Sequence, residues 1–77
     1  MKVYHVYECF YDEPWYPEEA SARIYKNYTD AKEYFDSLVE SAIADGQELE
    51  CQEERFAQFN TDEWDEFKIY IDEYEVR

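Results

Sequence analysis

Residues 29–46 read Thr29-Asp30-Ala31-Lys32-Glu33-Tyr34-Phe35-Asp36-Ser37-Leu38-Val39-Glu40-Ser41-Ala42-Ile43-Ala44-Asp45-Gly46. Ala31, Tyr34, Phe35, Leu38, Val39, Ala42 and Ile43 recur at steps of three and four, which sets them on one face of an α-helix. Thr29 stands where an N-cap belongs, and Asp30 complements the positive start of the helix. Asp45-Gly46 stops it, because glycine takes the left-handed backbone that ends helices. The other face carries Glu33, Asp36 and Glu40, side chains roughly 5 to 6 Å apart that repel one another unless a base is close.

Alternating segments flank this helix. In Lys2–Tyr11, Val3, His5, Tyr7 and Cys9 fall on one face and Tyr4, Val6, Glu8 and Phe10 on the other. That pattern predicts a central strand, one face under the helix and the other partly covered by aromatic side chains. Asp12-Glu13-Pro14-Trp15-Tyr16-Pro17 breaks it into a loop, since proline fixes φ and has no donor. Ala20–Tyr25 alternates again, with Ala20, Ala22 and Ile24 on one side, and predicts a short antiparallel strand. Glu48–Phe59 keeps no single period and is assigned as one strand. Asn60-Thr61-Asp62 has turn chemistry, after which Glu66–Val76 points Phe67, Ile69 and Ile71 inward and Lys68, Tyr70, Asp72 and Tyr74 outward. The expected fold is therefore α+β, in the order β-β-α-β-β, with one helix across an antiparallel sheet of three to four strands.

Seventy-seven residues allow one domain, here taken as 1–77, with a thin core. Nine Tyr, five Phe and two Trp supply the bulk that such a core requires. Twenty-one acids against seven bases leave a formal charge of −14, which works against compaction through self-repulsion. Acidic tails are disordered and poor in aromatics, whereas these acids interleave with apolar residues throughout. Glu outnumbers Asp fourteen to seven and tyrosine is abundant, which favours a contact surface over adaptation to high salt.

Several chemistries are disfavoured. His5 and Cys9 share a strand face about 13 Å apart, too far for a nucleophile and its base. With a single glycine, no Gly-rich phosphate loop can form. Asp62-Glu63-Trp64-Asp65-Glu66 lacks the glycine and ligand order of an EF-hand. No catalytic residue, metal site or cofactor is expected. Cys9 and Cys51 lack metal-ligand spacing and read as buried, reduced thiols. Direct nucleic-acid binding fails on the sign of the charge. No apolar run has the length of a signal peptide or a membrane span, so a cytoplasmic protein is expected.

A surface that repels nucleic acid attracts the proteins that bind it. Two carboxylate rows are candidates for partner binding: Glu33, Asp36 and Glu40 on the helix, and Asp72, Glu73 and Glu75 on the last strand. Tyr70 and Tyr74 flank Asp72 and suit arginine-lined grooves, while Trp15 and Trp64 are candidate loop anchors. The expected partner is a basic nucleic-acid-binding protein or complex. The alternative is a small adaptor that uses loop aromatics and a sheet edge, its acids serving solubility.

The opening Lys2-Val3-Tyr4, the helix start Thr29-Asp30-Ala31-Lys32-Glu33-Tyr34 and the closing Tyr70-Ile71-Asp72-Glu73-Tyr74-Glu75-Val76 resemble small acidic proteins of phages and mobile elements. Several of these inhibit host defence. The resemblance to anti-CRISPR and anti-restriction proteins implies a nucleic-acid mimic that occupies a groove meant for DNA or RNA.

Overall fold

A computed structural model describes the backbone of residues 1–11, 18–60 and 66–76, with side chains at 1–10, 21–60 and 66–76. The elements are β1 (Lys2–Tyr11), β2 (Glu18–Tyr25), α1 (Tyr28–Ala44), β3 (Glu48–Glu53), β4 (Phe56–Asn60) and β5 (Glu66–Glu75). The strands form one antiparallel sheet in the order β2-β1-β5-β4-β3. The fold is α+β as expected, but with five strands in place of three to four, in the order β-β-α-β-β-β. The extra strand comes from Glu48–Phe59, which is a hairpin turning at Glu54-Arg55. A register shift between Leu49 and Cys51 adds a further break. Turn and bulge together erase the single period that a lone strand would show.

Alternation along β1, β4 and β5 gives the sheet two unlike faces. Val6, Ala57, Phe59, Phe67, Ile69 and Ile71 are buried against Ala31, Phe35, Val39 and Ala42 of α1. Phe35, Ile69 and Val6 are the largest fully enclosed side chains. Truncating Phe35 to alanine would cost about 3 to 5 kcal/mol, a large part of the stability of so small a domain. Phe10, Phe67 and Phe59 stack across three strands at centroid distances of 4.7 and 5.0 Å, on the same side as the helix. The molecule is a slab of 39 × 27 × 17 Å, thin because one sheet carries one helix.

The helix starts earlier than Thr29 suggests. Asn27 is the N-cap, in extended conformation, and its amide nitrogen approaches the Asp30 carboxylate at 3.4 Å. Asp45 is the C-cap and Gly46 has φ of +96°. Ile43, expected on the buried face, is 49% exposed. Each i+4 step advances about 40° around the helix, so the row Ala31, Phe35, Val39, Ile43 has turned about 120° by its last member.

Two further expectations change. The β1–β2 ladder shifts register between Val6 and Glu8, so Ile24 pairs with His5 while position 20 pairs with Glu8. These partners lie on opposite faces of β1, which breaks the expected common side of Ala20, Ala22 and Ile24. Ser21 takes φ of +57° in β2, and its carbonyl accepts the Tyr34 hydroxyl at 2.7 Å. Cys9 is buried, but Cys51 is exposed on the edge strand β3. Three strand spacings separate β1 from β3, about 14 Å, well beyond the reach of a disulfide. No helix among the described residues is long and apolar enough to cross a membrane.

Candidate functional site

The antiparallel topology sorts charge along the strands. One end of the sheet gathers the start of β1, the end of β5 and the β3–β4 turn. Here Lys2 and Arg55 each reach Glu73 at 3.5 Å, and the N-terminal ammonium reaches Glu75 at 3.2 Å. Arg55 also lies over the ring of Tyr28 at 5.0 Å. The opposite end gathers the end of β1, the starts of β3 and β5, and the C-terminus of α1. It carries Glu8, Asp45, Glu48 and Glu66, and Lys68, bridged to Glu66 at 3.2 Å, is its one described base. The segments 12–17 and 61–65 lie outside the described residues; their sequence contains Asp12, Glu13, Asp62, Glu63 and Asp65 and no Lys, Arg or His.

The two carboxylate rows fare differently. Glu33, Asp36 and Glu40 are all exposed on α1; Lys32 reaches Asp36 at 3.6 Å, while Glu33 and Glu40 have no ion pair or hydrogen bond among the described residues. The last strand does not hold its acids together. Glu73 and Glu75 lie on the helix side and are answered by bases, as above. Asp72 lies on the open face, where it accepts the Tyr7 hydroxyl at 2.6 Å and stands 3.5 Å from that of Tyr74.

Tyr70 and Tyr74 also belong to the open face, within an aromatic cluster the sequence only partly disclosed. His5 stacks on Tyr7 at 4.5 Å, Tyr7 on Tyr70 at 5.4 Å, and Phe56 tilts against Tyr70 at 5.3 Å. Burial pushes the Tyr70 phenol above its usual pKa, and burial followed by the bond to Glu54 does the same for Tyr28. Alternation puts His5 and Tyr7 on a common face of β1 without saying which face is open; Phe56 is hidden by the hairpin within Glu48–Phe59. Trp15 and Trp64 lie outside the described residues, as does nearly all of the acidic run 62–66.

A cleft of about 420 Å³ opens between the C-terminal half of α1 and the sheet. Phe10, Leu38, Ala42 and Phe67 form its apolar walls, Ser41, Asp45 and Gln47 its rim, and Glu8 faces into it. Glu8 sits on the helix side of β1 between Val6 and Phe10, opposite Ile69, and is half-buried. Its alternation was legible, yet a carboxylate between Val6 and Phe10 signals a site only when a cleft meets it. Among the described residues no group of His, Cys, Asp and Glu is arranged to hold a metal ion. Comparison with protein-family models, characterised proteins and solved structures finds no match for this chain.

Proposed function

We propose that this chain is an acidic protein-binding inhibitor and not an enzyme: a nucleic-acid mimic of the anti-CRISPR or anti-restriction kind that occupies a basic groove of a nucleic-acid-binding partner. The observation that carries this reading is the segregation of charge. Bases concentrate at one end of the sheet, where they cancel Glu73 and Glu75, and the opposite end is left almost purely acidic. A field so polarised orients the molecule as it approaches a basic surface and raises the rate of encounter. The row Glu33, Asp36 and Glu40 runs between the two ends. Duplex DNA carries one charge per roughly 1.7 Å, so this row imitates a segment of one strand and not a whole duplex.

The test is capture of basic nucleic-acid-binding proteins from a bacterial lysate at about 50 mM and about 500 mM salt. Under this reading a captured protein is released at high salt and by added DNA or RNA, and reversing Glu33, Asp36 and Glu40 to lysine weakens capture. Capture that ignores salt and charge reversal would sink it. The open aromatic face favours a second reading, an adaptor that binds through His5, Tyr7, Tyr70 and Tyr74; for it, Tyr70→Ala and Tyr74→Ala would cost more affinity than the charge reversals.

A further inference from the structure

We propose that the cleft beneath the C-terminal half of α1 receives one arginine side chain of the basic partner, with Glu8 as the carboxylate that holds its guanidinium. The source of the arginine rests on the function proposed above; the site itself rests on the cleft.

Glu8 is the anomaly that points to it. Its neighbours along β1 and toward β5 are apolar: Val6 and Phe10 on its own strand, Ile69 across the ladder. A half-buried carboxylate in such a place calls for a countercharge or a donor, and it has no ion pair or hydrogen bond among the described residues. Nor does a described base pair with it. Lys68 pairs with Cys9, so it projects from the opposite face, where it bridges Glu66. The segments 12–17 and 61–65 contain no Lys, Arg or His. Arg23, opposite Val6 on β2, stands on the same side of the sheet, but its guanidinium lies over the Tyr34 ring at 4.6 Å, and Lys2 and Arg55 sit at the other end beside Glu73.

The surroundings select a cation with an apolar stem. Asp45 stands on the rim at the C-terminus of α1, where the helix presents partial negative charge. Phe10, Leu38, Ala42 and Phe67 offer apolar wall to a chain of methylenes. The volume of about 420 Å³ lies in the range of ligand sites and accommodates one long side chain. Arginine fits better than lysine because guanidinium is more weakly hydrated and binds a carboxylate through two parallel hydrogen bonds. A net charge of −14 supplies the complementarity that brings such a residue to this end.

The experiment uses n-butylguanidinium as the probe and its neutral isostere n-butylurea as the control, each titrated into the full chain at fixed ionic strength and followed by amide chemical shifts. Saturable shifts confined to Glu8, Phe10, Leu38, Ala42 and Phe67, given by the cation and not by the urea, are expected. Glu8→Gln should weaken this binding about tenfold, the loss expected when a charged hydrogen-bond partner is removed. Ser41→Phe, at an exposed rim position, should block it independently should the Gln variant misfold. Equal binding of the urea, indifference to both substitutions, absence of saturable shifts, or shifts of equal size around Glu33 and Glu40 would each overturn the site. Because the probe is a small molecule, that failure is separate from failure of the function: partner capture lost while the cleft still binds the cation removes the partner and leaves the site.

Discussion

Tyr7 on β1 donates its hydroxyl to the Asp72 carboxylate on β5 at 2.6 Å, one diagonal step from the stacked pair Tyr7 and Tyr70. The contact ties the two central strands on the face opposite α1. It also changes what Asp72 is: a carboxylate engaged by one tyrosine hydroxyl and close to a second, on the other face from Glu73 and Glu75. Tyr7→Phe keeps the ring stack and removes the donor. A loss of about 1 kcal/mol is expected, read as a lower urea midpoint with an unchanged slope.

Glu8 should behave in the opposite sense. Its charge lies near the C-terminus of α1 and Asp45, both unfavourable to an anion. Glu8→Gln is therefore expected to hold or raise stability, by up to about 1 kcal/mol in thermal or urea melts. Clear destabilisation would mean that the carboxylate has a stabilising partner within the folded chain.

Alkaline pH should loosen the fold through the phenols. Tyr70 and Tyr28 have folded pKa values raised above those of the unfolded chain, so the folded state holds their protons more tightly. The stability they contribute is complete below the ordinary tyrosine pKa of about 10 and is lost as pH rises through the folded values. Urea melts between about pH 9 and pH 11 should show this decline, and Tyr70→Phe should flatten it.

The thiols should separate by accessibility. Cys51 is exposed on the edge strand, whereas Cys9 is only 4% exposed. Iodoacetamide is expected to modify Cys51 in the native protein and Cys9 only on unfolding, with one adduct by intact mass before denaturant and two after. Rapid double labelling without denaturant would contradict the burial of Cys9.

Local pattern was enough for much of the fold. The three- and four-residue steps of Ala31, Phe35, Val39 and Ala42 gave the helix, and the alternation of β1 and β5 gave a two-faced sheet with Phe67, Ile69 and Ile71 inward. It failed where a few residues reset the period. Glu54-Arg55 turns the chain within an apparent single strand, and the irregularity near Ser21 flips the register of β2. Neither position carries the glycine, proline or asparagine that normally announces such a change.

The candidate site divides in the same way. Sequence by itself determined the charge of −14, the helix row of Glu33, Asp36 and Glu40, and the placing of Glu8 on one face of β1 with Tyr4, Val6 and Phe10, because each depends on composition or on a short period. Only the tertiary structure decided that Glu73 and Glu75 would be neutralised by Lys2, Arg55 and the N-terminus. Only it decided that Asp72 would be engaged by Tyr7 across the open face, and that the end of the sheet around Glu8 would be left without an unengaged described base. Those outcomes depend on which strands lie side by side and in which register. Antiparallel pairing brings residues 2 and 73, or 7 and 72, within bonding distance although nothing local in the chain relates them.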